Sequence, residues 1–137
     1  MISLLGKSMV GHVVDAAAMA HLQPVVVVNH QEDRVRLALD GQDVLFARQT
    51  ETRGTGDAVA SALSVLPESG TVVVMAGDAP LVRTETIASL REAHGSAAVT
   101  VLTANVDEPA HYGRLIRTDA GSPARIVEAR EASADEL

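Results

Sequence analysis

The sequence predicts an α/β fold with a mostly parallel sheet. Short Val-rich runs alternate with amphipathic segments at helical spacing, and the runs are apolar throughout, as in strands covered on both faces. The chain has 137 residues, 47% apolar and 21% charged, which suits one ordinary domain with a sizeable core. Only one Phe and one Tyr occur, so that core rests on Val, Leu, Ala and Ile.

Each element follows from its local pattern. The opening "MISLLGKSMV" contains Gly6-Lys7-Ser8, but a phosphate loop needs a glycine five residues before Gly6, and that position is Met1. Ser8 reads instead as the cap of a helix over 8–22, with Lys7 solvated; Met9, Val13 and Ala17 share a face that Val10 and Val14 extend, and Pro24 ends it. Residues 25–30, "VVVVNH", form a first strand. "QEDRVRLAL" is a short helix stopped by Asp40-Gly41, and residues 43–48 form a second strand. A third helix covers 55–66, with Thr55 as a possible cap, and "PESG" turns the chain into "TVVVMAG", residues 71–77, the best candidate for a central strand. Thr84 caps a helix to His94, with Gly95 just past its end, and "AAVTVLTANV" is a fourth strand. "GRLIRT" and "ARIVEAR" around "DAG" then read as a hairpin. One domain results, with an α/β core at about 8–105, a hairpin region at about 106–130 and a charged tail at 131–137.

Composition narrows the function. A net charge of −7 and the scarcity of aromatic platforms argue against nucleic-acid binding. The chain has no cysteine, so thiolate metal sites and cysteine nucleophiles are excluded. No signal peptide and no apolar run of membrane-spanning length is present in the sequence, which predicts a cytoplasmic protein without membrane contact. The five histidines lack metal-binding spacing, and no serine sits in a Gly-x-Ser-x-Gly elbow.

Three places can carry chemistry. Asp78 follows the third strand, where open α/β sheets gather ligands; it either holds a divalent ion with its phosphate or caps the turn before Pro80. "QTETRGTGDAV" puts Gly54 and Gly56 at a helix entry, where backbone N–H groups face an anion or a base edge, and Gln49 can offer a paired donor and acceptor to a pyrimidine. Read in isolation, Gly-Thr-Gly before a helix is more often just a turn. Gly113, by backbone access, and Glu128, as an acceptor, suit a small polar ligand or ordinary surface structure equally well.

In this order and spacing, "GKSMVGHVVDAA", "VVVVNH", "RQTETRGTGDAV", "VVVMAGDAPL", "VTVLTANVDEPAHYGRLIR" and "RIVEAREAS" resemble the uridylyltransferase domain of the bacterial N-acetylglucosamine-1-phosphate uridylyltransferases. The resemblance implies a Rossmann-like (GT-A-like) nucleotidyltransferase fold that makes UDP-N-acetylglucosamine, a peptidoglycan precursor, from UTP and the sugar 1-phosphate. It puts Gln49 on uracil, Gly54 and Thr55 against the uridine, Asp78 on Mg²⁺, and Gly113 and Glu128 on the N-acetylglucosamine unit.

The departures from the family pattern carry expectations of their own. The family's first strand, its Gly-x-Gly-Thr-Arg-Met loop and the lysine after it precede the segment matched by "SLLGKSMV". A second Mg²⁺ ligand, an asparagine, falls past Leu137, as does a β-helical half. Ala76, Asn29, His111 and Arg130 replace a tyrosine, two glycines and a lysine. Truncation at both ends predicts weak or absent turnover by this chain alone, with only Arg48, Arg53 and Arg114 near the phosphates. A central strand between those at Val25 and Thr71 would be missing, its edges closed by a partner chain, a homo-oligomer or rearranged pairing. The alternative readings are a non-catalytic remnant or interaction module, and a nucleotidyltransferase for another nucleotide or sugar.

Overall fold

The computed structural model describes residues 2–136, in two compact units over 1–97 and 98–137. In the first unit β1 (Ser3–Leu4) and β2 (Lys7–Ser8) pair antiparallel across Leu5-Gly6. Both turn residues have positive φ, 51° and 82°, as a two-residue hairpin turn of right-handed twist requires. Lys7 is not simply solvated: it forms an ion pair with Asp15, both side chains remaining partly exposed.

Helix α1 (Met9–Met19) starts as the sequence suggests. Ser8 adopts an extended backbone and its Oγ accepts from the Gly11 N–H at 3.2 Å. A Cβ on Gly11 would lie 2.9 Å from Lys7 Cε and 3.0 Å from Ser8 Oγ, so glycine keeps this capped entry compact. The buried face of α1 is Val13, Val14, Ala16 and Ala17, with Met9 and Val10 only half-buried.

Strand β3 (Val25–Val28) pairs in parallel with β4 (Leu45–Arg48), Val25 opposite Leu45 and Val28 opposite Arg48. Between them runs α2 (Glu32–Ala38), stopped at Gly41, whose φ of 75° lets the Gln42 N–H reach Leu39 O at 3.0 Å. Arg36 of α2 pairs with Glu32 at 2.8 Å and lies 4.2 Å from the Phe46 ring centroid, tying the helix to β4. Helix α3 (Thr55–Ala62) packs on both strands. Its cap is Gly54 rather than Thr55, which is the first helical residue.

Helix α4 (Thr84–His94) covers the expected span and ends at Gly95, φ 49°. Its N-cap is Arg83, in extended conformation, instead of Thr84. The Thr84 hydroxyl turns away to donate to Ala16 O at 3.4 Å, and Arg91 donates to Ala20 O at 3.1 Å. These two bonds tie α4 to carbonyls near the C-terminal end of α1. Ala16, Ala20 and Ile87 form the core between the helices, where the small α1 side chains allow close approach, and Leu22, Val73, Met75 and Val82 pack against it.

The expected third strand, 71–77, has no ladder partner among the described residues. Its burial still alternates as in a strand: Val73 and Met75 face the α1–α4 core, while Val72 and Val74 are exposed. Strand propensity is therefore present and the hydrogen-bonding neighbour is what is lacking. The fourth expected strand, 97–106, also joins no ladder, and Val99, Val101, Leu102 and Val106 are exposed. Among the described residues the sheet content is three two-stranded sheets, of which only β3–β4 is parallel, in place of one mostly parallel sheet. The α/β content stands; the Rossmann-like arrangement is not reproduced in detail.

The second unit holds the expected hairpin, β5 (Arg114–Arg117) and β6 (Pro123–Val127), antiparallel with an irregularity at Ile116/Arg117. Gly121, φ 81°, closes the turn through its N–H to Thr118 O at 2.8 Å. Among the described residues no helix is long and apolar enough to cross a membrane.

Ile87 is 2% exposed in the α1–α4 core. Ile87→Ala is expected to lower unfolding free energy by about 2–4 kcal/mol, whereas Val72→Thr on the exposed face should change it by less than about 0.5 kcal/mol, both read by urea denaturation.

Candidate functional site

A polar group held by four hydrogen bonds lies just past the parallel ladder. The Gln49 N–H donates to Val28 O at 2.8 Å, continuing the β3–β4 pattern by one residue. From the other strand, Asn29 Nδ2 donates to Gln49 O at 3.0 Å. Gln49 is thus held at both backbone groups, and its side chain is nine-tenths buried, at 8% exposure.

The carboxamide is held as well. Gln49 Nε2 donates to Asp57 Oδ2 at 2.8 Å and to Gly54 O at 3.2 Å. Both partners are pure acceptors, so the atom facing them must be the NH₂ group, and both its hydrogens are engaged. The expected paired donor and acceptor is therefore corrected: only Oε1 remains open. It takes part in no hydrogen bond among the described residues, and no unpartnered buried side-chain oxygen occurs among them, so Oε1 retains access to solvent.

Gly54 makes the adjoining helix entry possible. Its φ of 112° and ψ of −177° lie in a region essentially reserved for glycine. The turn delivers α3 with no side-chain cap, so the N–H groups of Thr55, Gly56 and Asp57 have no hydrogen-bond partner among the described residues. Asp57 occupies the first turn, where it favours the helix dipole, but its carboxylate points at Gln49 rather than at these amides. The Gln49 acceptor and the α3 donors are accordingly brought together by the 49–57 loop.

Asp78 lies in the turn after 71–76, where the Ala79 N–H reaches Ala76 O at 3.2 Å, and its side chain is exposed. A Cβ on the preceding Gly77 would sit 3.7 Å from Val10 Cγ2, which places this turn beside the start of α1. Among the described residues no group of three or more His, Asp or Glu side chains could hold a metal. A lone carboxylate of this kind fits Mg²⁺ shared with substrate phosphates, not a cage made by protein alone.

The basic residues expected near the phosphates have local partners. Arg48 pairs with Glu32 at 3.5 Å, Arg53 with Glu51, and Arg114 donates to Tyr112 O and Ala110 O. In the second unit, Gly113 and Glu128 each flank the Arg114↔Val127 pair, at the open end of the hairpin. A Cβ on Gly113 would be 3.3 Å from Val127 O, tight enough to demand a shift. Glu128 is exposed there. Sequence reasoning missed Asn29 and Asp57: Asn29 stood out only as a departure from glycine, and Asp57 only as the residue after Gly-Thr-Gly.

Residues 1–133 match the MobA-like NTP transferase domain. The chain belongs to that family. It is also similar to the bifunctional protein GlmU of Burkholderia thailandensis, 45% identical over 135 residues, and to the proteins of that name from Burkholderia mallei and Burkholderia pseudomallei, each 44% identical. The alignment takes in 98% of this chain and 30% of each relative, so the nucleotidyltransferase domain described above spans about a third of their length.

Gly54→Ala meets no steric obstacle, since nothing lies within 4 Å of the added Cβ, but it forces alanine into a glycine-only conformation. It should cost about 1–3 kcal/mol in urea denaturation, or else displace the loop, seen as changed amide shifts from Gln49 to Asp57.

Proposed function

We propose that this nucleotidyltransferase domain binds UTP and serves the synthesis of UDP-N-acetylglucosamine from UTP and N-acetylglucosamine 1-phosphate. The observation that carries the reading is the solvent-accessible Oε1 of an otherwise buried Gln49 beside the unpaired α3 amides. A uracil edge offers a ring N–H next to carbonyl oxygens, which complements an acceptor next to backbone donors. Gly54 and Thr55 lie against the uridine in this reading.

Asp78 would hold Mg²⁺, which supplies neutralisation of phosphate charge when bound. The phosphate oxygen of the sugar 1-phosphate forms a new bond to the α-phosphorus of UTP as the bond to pyrophosphate breaks, in line. No protein nucleophile is required, and the chain's part is positioning. Glu128 accepts from hydroxyl or amide groups of the sugar, and Gly113 gives it backbone access. Support for the sugar comes from the similarity to bifunctional GlmU and from the Arg114↔Val127 register, which leaves these two residues at one hairpin end. The non-catalytic and other-substrate readings, and turnover too weak to measure, gain nothing from these relationships.

Calorimetric titration of the full chain with UTP, CTP, GTP and ATP in Mg²⁺ tests the reading. UTP is expected to bind at least about tenfold more tightly than the others, and Gln49→Ala to remove that preference. Equal binding of all four, or a preference that survives Gln49→Ala, would contradict it.

A further inference from the structure

Gln49 can reach a base with either end of its carboxamide, and the two ends demand opposite partners. Which end is presented is decided behind the side chain, by Asp57 Oδ2 at 2.8 Å and Gly54 O at 3.2 Å. Gly54 O is the weaker hold, because it also accepts from the Ala58 N–H at 3.1 Å. Asp57 is charged, closer and half-buried. We propose that Asp57 is a positioning residue that locks the Gln49 carboxamide with its NH₂ inward, so that Oε1 alone faces the ligand and the site selects a base by its ring N–H.

The recognition half of this proposal rests on the uridine reading above. The consequence is specific: a base whose ring N–H is replaced by N–CH₃ is rejected, because Oε1 then meets no donor and the amide cannot turn round without leaving the Asp57 carboxylate unpaired. A purely structural Asp57, serving only the α3 dipole, would leave that discrimination unchanged when its carboxylate is removed.

Two measurements on the full chain test it. The first needs no ligand. In ¹H–¹⁵N spectra the Gln49 side-chain amide should be displaced downfield and exchange with water more slowly than that of the exposed Gln31. Asp57→Ala should abolish both effects, and Asp57→Asn, whose Oδ1 still accepts, should keep most of them. The second compares UTP with its N3-methyl derivative. The native chain should prefer UTP by at least about tenfold, Asp57→Ala by no more than about threefold, and Asp57→Asn should recover the preference.

If Asp57→Ala leaves both the Gln49 amide and the preference unchanged while Gln49→Ala abolishes the preference, the role of Asp57 is overturned and the uridine reading stands. If Gln49→Ala leaves UTP affinity unchanged, the uridine reading is overturned, and the ligand-free spectra alone decide whether Asp57 holds the amide. Asp57→Asn keeps the volume and an acceptor, so loss of folding in the alanine variant would still leave the native and Asn spectra to compare.

Discussion

The placement of Gln49 and of the α3 entry depends on the short parallel ladder between Val25–Val28 and Leu45–Arg48. It is only four residues a side, yet it sets where Gln49 stands, because Val28 O takes the Gln49 N–H as the next bond of the pattern. Asn29 then clamps the opposite side of the same peptide. With the main chain fixed, the side chain can reach forward to Gly54 and Asp57 and draw the start of α3 to the strand end. A loop of polar and glycine residues thus acquires a definite shape without a hydrophobic core of its own. Weakening the ladder would release all four contacts together.

Sequence reasoning found the elements whose signal is local. The span of helix α4 was legible, since Thr84 and Gly95 mark its ends even though Arg83 is its cap, and the start of α1 was legible because Ser8 can cap it. The hairpin at Arg114–Val127 needed only its turn and two apolar runs. What failed was non-local. "TVVVMAG" and "AAVTVLTANV" have the composition of strands, and the first even alternates in burial, but a strand exists only where a neighbour completes its hydrogen bonds. Pattern reports the willingness of a segment to pair and says nothing of its partner. The same holds for Thr84, whose hydroxyl prefers a carbonyl of α1 to its own helix, and for Thr55, displaced as cap by the left-handed Gly54.

The candidate site divides along the same line. Gln49, Gly54 and Thr55 belong to one loop motif, in which Gln49 Nε2 donates to Gly54 O and Thr55 opens α3. The polarity of the amide was not readable, because it depends on which acceptors lie behind it. Gly113 and Glu128 are 15 positions apart in sequence and become neighbours only through the hairpin register. Membership of the MobA-like NTP transferase family gives the chain its chemical class, while in the function proposed above the choice of base would fall to a few hydrogen bonds around one glutamine.

The central claim is that a nucleotide meets this domain at Gln49 and the first turn of α3. Amide chemical-shift mapping of the ¹⁵N-labelled chain during titration with UTP and Mg²⁺ tests it most directly. The account predicts the largest changes at the Gln49 side chain and at the backbone amides of Thr55, Gly56 and Asp57. Saturable binding that leaves those four signals in place and moves others would contradict it.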